Sequence, residues 1–156
     1  METLEVGYDP DIIAYEDLID LFLASISSGS IPHKRQYARA IFPTTEAQEL
    51  VARRKLEGID GTHASASGVE LIPGAKFHSA EMYHQKFYLQ GVQAIFAELR
   101  RTFPDPWALI DSHVAARLNG YLGGFGDIEE FEAEVDDLVL TPKAKNTLQR
   151  IVRSRT

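Results

Sequence analysis

The chain has 156 residues, 44% of them hydrophobic and 25% charged, which suits one folded domain with a real core and excludes disorder as the dominant state. Its 16 Lys and Arg against 23 Asp and Glu give a net charge of −7, so no cationic surplus is at hand to neutralise phosphates and no nucleic-acid partner is expected. It contains no cysteine, which excludes disulfides, thiolate nucleophiles, iron–sulfur clusters and cysteine-based zinc sites.

Residues 2–9 alternate weakly and stop at Asp9-Pro10, which reads as a short strand. Glu2 and Glu5 replace the basic start of a secretory leader, and no apolar run reaches membrane-spanning length, so a cytoplasmic protein without a membrane partner is expected. Tyr15, Leu18, Ile19, Phe22 and Ile26 recur at helical spacing, and Ser27–Ser30 close that helix. Gln36–Phe42 reads as a second strand ended by Pro43. Thr45 with Gln48 three residues on is a capping box, which predicts a helix from Glu46 to about Leu56. Residues 58–68 are rich in small residues and read as a loop, and Val69–Ile72 as a strand stopped by Pro73-Gly74.

Helices are expected from Ser79 onward, with Ser79 as an N-cap ahead of Glu81. Val92, Ile95, Phe96, Leu99 and Phe103 form one apolar stripe. Trp107, Ile110, Val114 and Leu118 form another, entered through Pro104 and Pro106, with Trp107 expected in packing. Gly120, Gly123, Gly124 and Gly126 mark a tight connection. Asp127–Asp137 holds 7 acidic residues and Lys143–Arg155 holds 5 basic ones, which predicts two amphipathic helices with complementary faces. The cations Arg53–Lys55 and Arg100-Arg101 fall at helix C-termini, where the macrodipole favours them.

Three segments in order resemble the A-type peptide methionine sulfoxide reductases. They are Glu2 through Tyr8-Asp9-Pro10 with Tyr15–Phe22, then Gln36–Phe42, then Phe77–Gln85 shortly after Glu70–Pro73. Ser79-Ala80-Glu81-Met82-Tyr83-His84-Gln85 is close to that family's Ala-Glu-Asp-Tyr-His-Gln signature. Asn119–Gly124 looks like the longer tails of some members, so the likeness runs from Glu2 to about Gly124. It implies an α/β (α+β) fold, a mixed sheet flanked by helices. The core would cover residues 1–100 with its first strand missing, and a helical C-terminal extension would cover 101–156.

The departures bear on function. The family's Gly-Cys-Phe-Trp motif, which supplies the nucleophilic thiolate, is absent, as are its upstream tyrosine and its resolving cysteines. Glu2 falls at the family's acid position, with Met1 where an alanine would stand. Tyr37 matches the tyrosine that holds the sulfoxide oxygen, and Pro32 replaces the aspartate five residues before it. Reduction by this route needs a soft nucleophile at sulfur and an acid at oxygen. The acid is retained as Glu2; the nucleophile is not. The chain as it stands is therefore not expected to be a thiol-dependent reductase.

The resemblance makes Glu2 and Tyr37 the candidate catalytic pair, with Glu81, Tyr83 and His84 as candidate ligand contacts; Arg39, a cation near Tyr37 suited to an anionic ligand, is a further candidate contact. Each has a plainer alternative: a solvated terminus for Glu2, core packing for Tyr37, capping for Glu81, Tyr83 and His84, and an exposed strand-end charge for Arg39. His33, His63, His78 and His113 are scattered, and His78 and His84 do not share a helix face, so no metal and no cofactor are expected. Three readings stand. One is a repurposed member that binds a small molecule or acts on it by acid–base chemistry, as a cyclase, isomerase or dehydratase. Another is a non-catalytic binding or scaffold protein in which an uncovered sheet edge favours homodimers. The third is a truncated reductase. Whether the chain is an enzyme is left open.

Overall fold

A computed structural model describes residues 1–26, 34–57 and 68–155. They form two compact units, Met1–His78 and Ser79–Thr156. The predicted loops at Ser27–Ser30 and 58–67 lie outside the described residues, as do Pro32, His33 and His63.

In the N-terminal unit, α1 spans Tyr15–Ser25. Its first turn is closed by Asp17, whose carboxylate accepts the Ala14 N–H at 3.3 Å. Strand β1 is Arg39–Ile41, α2 is Glu46–Glu57 and β2 is Val69–Leu71. The two strands pair in parallel, Arg39 with Val69 through Ile41 with Leu71. Parallel neighbours need a crossover, and α2 supplies it. That helix starts where the capping box placed it. Gln48 N–H donates to Thr45 Oγ1 at 3.2 Å, while Gln48 Oε1 reaches back to the Thr44 N–H and hydroxyl, each at 2.8 Å. Ile19 of the predicted stripe of α1, together with Leu23 outside it, packs with Ile41 and Ala52, while Tyr15, Phe22 and Ile26 are partly buried against them. Lys55 of α2 bridges Glu16 at 3.0 Å and Asp20 at 2.7 Å on α1.

Three expectations for this unit are corrected. Residues 2–9 form no strand; Glu2 N–H donates to the Gln36 carbonyl at 2.9 Å, and the Tyr8 hydroxyl accepts Gln48 Nε2 at 3.4 Å. The alternation is real, yet no neighbouring strand offers a ladder, so Leu4 and Val6 stay exposed. The strand expected over Gln36–Phe42 is confined to Arg39–Ile41, because Arg35–Tyr37 wind into a 3₁₀ turn. Among the described residues the sheet is this one parallel pair, with none of the mixed pairing expected.

In the C-terminal unit, a 3₁₀ turn at Met82–His84 leads into α3 (Phe87–Gln90) and α4 (Gln93–Thr102). Next come α5 (Pro106–Ile110), α6 (His113–Gly123), α7 (Ile128–Glu134) and α8 (Pro142–Arg153). Their apolar faces meet in one core that includes Leu89, Ile95, Leu99, Leu118, Phe131 and Leu148, all fully buried. The single helix expected from Trp107 through Leu118 is two. Ser112 interrupts it, its hydroxyl accepting the Ala115 N–H at 3.2 Å as the N-cap of α6. Asp105 caps α5 at Pro106, and Asp127 caps α7. Thr141 caps α8 at Pro142. Trp107 is 44% exposed, so it is no core residue. Ser79 caps nothing: the 3₁₀ turn starts after Glu81 and α3 after Lys86, which adopts φ 47°. The expected pairing of the acidic and basic helices is present: Arg153 of α8 meets Glu132 of α7 at 2.7 Å.

Candidate functional site

In the N-terminal unit Glu2 is bonded to Gln36, the chain neighbour of Tyr37. Glu2 pairs with the Gln36 backbone, and Gln36 Nε2 donates to Glu2 Oε1 at 3.3 Å. Tyr37 follows directly, ends the 3₁₀ turn and is 51% exposed, so it is not the core tyrosine of the plainer reading. Its N–H donates to the Lys34 carbonyl at 3.0 Å. Arg39 lies two residues on, half-buried in β1 opposite Val69. Arg35 anchors the turn to β2 by an ion pair with Glu70 at 2.8 Å. The cluster therefore offers one carboxylate, one amide and one phenol, all solvated. Such groups can hold a polar oxygen by hydrogen bonds, in competition with water.

The other three candidates lie in the C-terminal unit. Tyr83 and His84 sit in the 3₁₀ turn with ring centroids 4.1 Å apart, and Glu81 precedes them with its carboxylate 4.0 Å from His84 Nε2. All three are exposed. The turn is held from below by Gln90, whose amide donates to the Met82 carbonyl at 2.7 Å and the Gln85 carbonyl at 2.5 Å. Beside it Tyr83, Phe87, Tyr88 and Val92 line an open groove of about 400 Å³ with Arg155 at its rim. Arg155 is fixed there by donating to the Leu122 carbonyl.

Sequence reasoning missed two arrangements. Asn119, in the tail segment it singled out, accepts the N–H groups of Tyr88 at 3.1 Å and Leu89 at 3.2 Å, and so caps α3 from α6. Its place before a glycine suggests a turn residue, and nothing local points 30 residues back. The second is a network of Arg117, Tyr121 and Glu134. Arg117 grips Glu134 with two bonds, 3.0 Å and 2.5 Å, and also donates to the Tyr121 hydroxyl at 2.9 Å. Burial pushes the Tyr121 phenol up to about 12, reinforced by its hydrogen bond to Glu134 and opposed by Arg117. For Glu134 burial acts upward, but the hydrogen bonds from Arg117 and Tyr121 outweigh it and hold the carboxyl below its usual value. Among the described residues no three His, Asp or Glu converge as metal ligands, and no helix is long and apolar enough to cross a membrane.

The family model described as peptide methionine sulfoxide reductase matches residues 1–102. A second, described as the helical domain of selenoprotein methionine sulfoxide reductase A, matches residues 108–152. A peptide methionine sulfoxide reductase of Drosophila melanogaster is 41% identical over 143 residues, covering 90% of this chain and 57% of the relative. One from Deinococcus radiodurans is 34% identical over 94 residues, covering 56% of this chain and 46% of the relative. One from Chromobacterium violaceum is 33% identical over 108 residues, covering 64% and 60%. The chain thus spans about half the length of these relatives. The match takes in all six candidate site residues and both compact units, and with it the chain belongs to the A-type peptide methionine sulfoxide reductase family, as a sequence without any cysteine.

Proposed function

We propose that this chain by itself is a non-redox member of the family, which binds the polar oxygen of a small ligand at Glu2, Gln36 and Tyr37 without reducing it. The observation that carries the reading is the absence of cysteine from a chain whose acid and oxygen-binding tyrosine positions are filled. A sulfoxide reductase working through a thiol must form a sulfur adduct that a second thiol resolves. No hydroxyl or carboxylate of this chain does that. Acid–base chemistry on a bound carbonyl or hydroxyl remains open to Glu2 as proton donor or acceptor and Tyr37 as hydrogen-bond donor, in a cyclase, isomerase or dehydratase. Glu81, Tyr83, His84 and Arg39 are proposed ligand contacts. The working division is a core to residue 100 and a helical extension from 101, supported by separate family matches to 1–102 and 108–152.

The test uses N-acetylmethionine sulfoxide with dithiothreitol as reductant, followed by the appearance of the thioether. No turnover above the protein-free rate is expected, while dimethyl sulfoxide shifts the amide signals of residues near Glu2 and Tyr37. Turnover sustained by the thiol overturns the proposal. If Glu2→Gln and Tyr37→Phe change neither binding nor any product, the acid–base version fails.

A second reading is favoured by one structural observation. Leu4 and Val6 are exposed, at 81% and 54%, on the segment 2–9, which has no strand partner among the described residues. In that reading the chain is the oxygen-binding and helical part of a reductase whose thiol comes from another segment. Co-expression with the N-terminal part of the Drosophila relative decides between them: restored thiol-dependent reduction supports the second.

A further inference from the structure

We propose that Gln36 is a positioning residue, which fixes the Glu2 carboxylate in place before any ligand arrives. The inference rests on the reading of Glu2 and Tyr37 as the oxygen-binding pair. Residues 1–9 belong to no strand, so no ladder fixes where Glu2 lies. Two hydrogen bonds to one residue do. The bond from Glu2 N–H to the Gln36 carbonyl, at 2.9 Å, fixes the backbone. The bond from Gln36 Nε2 to Glu2 Oε1, at 3.3 Å, selects the side-chain rotamer. With Oε1 engaged, Glu2 Oε2 has no hydrogen-bond partner among the described residues and is the oxygen left for a ligand.

Gln36 is itself held on both sides. The 3₁₀ turn closes through Tyr37 N–H to the Lys34 carbonyl at 3.0 Å and Ala38 N–H to the Arg35 carbonyl at 3.2 Å. Arg35 is clamped to Glu70 of β2 by bonds of 2.8 Å and 3.1 Å. The register of β1 against β2 is thereby passed to Gln36, and from Gln36 to Glu2. An amide suits the task, since it donates to a carboxylate without adding charge; a glutamate there would repel Glu2. Ordering a rotamer-rich carboxylate in the free protein spares the ligand that entropic cost, so the effect falls on affinity.

The experiment is an NMR titration of the full chain with dimethyl sulfoxide as the probe, comparing wild type, Glu2→Gln, Gln36→Leu and the double variant. Gln36→Met, which keeps length without the donor, stands in if Gln36→Leu fails to fold. The expected result is about threefold to fivefold weaker binding for Gln36→Leu, the worth of one exposed hydrogen bond. The double variant is expected to bind no more weakly than Glu2→Gln alone. A purely structural role for Gln36 would instead add to the Glu2 effect, and that outcome overturns the inference. Weaker binding by Glu2→Gln with wild-type binding by Gln36→Leu also overturns it, while leaving the oxygen-binding reading intact. Unchanged binding in Glu2→Gln, or no binding by wild type, overturns the reading on which the inference stands.

Discussion

Replacing Asn119 tests how the C-terminal unit is held together. Asn119 Oδ1 accepts two donors at the start of α3, Tyr88 N–H at 3.1 Å and Leu89 N–H at 3.2 Å, and no other acceptor among the described residues serves them. Leu89 is fully buried, while Tyr88 is 41% exposed. In Asn119→Ala the Tyr88 N–H regains water and costs about 0.5 kcal/mol, whereas the Leu89 N–H is harder to hydrate and costs about 1–1.5 kcal/mol. The sum, about 1.5–2 kcal/mol, lies at the upper end of the range for losing an N-cap. For a chain of this length that lowers Tm by about 3–8 °C. Urea and thermal unfolding followed by circular dichroism measure it. Asn119→Asp keeps the acceptor and adds negative charge at a helix N-terminus, so it should stay close to wild type, while Asn119→Leu should resemble Asn119→Ala. If Ala and Asp variants unfold together, or Ala costs under about 0.3 kcal/mol, the acceptor is not what Asn119 contributes.

Leu148→Ala opens a hole in the fully buried centre of the C-terminal core, where Leu148 packs with Leu118 and Phe131. It should cost about 2–5 kcal/mol in urea unfolding, a large share of the stability of an ordinary domain. The Arg117–Tyr121–Glu134 network predicts pH dependence at both ends. Glu134 has its folded-state value lowered, so its contribution is present above the ordinary carboxylate range and is lost as pH falls through the lowered value; Glu134→Gln should flatten that acid limb. Tyr121 is pushed up to about 12, so its contribution is present below 10 and lost as pH rises toward 12; Tyr121→Phe should remove that alkaline limb. A stability profile that Glu134→Gln leaves unchanged in acid would refute the pairing as a source of stability.

The elements that were legible in the sequence are those whose signals are local. Thr45 and Gln48 lie three residues apart and satisfy backbone donors of their own turn, so α2 begins where they place it. The stripe through Ile95 and Leu99 encodes the buried face of α4 by spacing alone, and both residues are fully buried. The family was legible too, because ordered motifs survive without any knowledge of packing. The misreadings share a cause. The split between α5 and α6 was masked because Trp107, Ile110, Val114 and Leu118 keep a helical period across Asp111-Ser112, while Ser112 makes a cap that the period does not show. The stretch 2–9 has the alternation of a strand, but a strand exists only where a second one pairs with it.

The sequence by itself determined the family, the lack of any thiol, the places of Glu2 and Tyr37 in the family's pattern, and the starts of helices whose caps are local. Only the tertiary structure decided what those residues face. It put Tyr37 in an exposed turn instead of a strand, tied Glu2 to Gln36 across 34 positions, and set Asn119 on α3 across 30. The physical reason is one of range. Hydrogen bonds between distant residues depend on where the chain returns after its loops, and no periodicity in the sequence records that return.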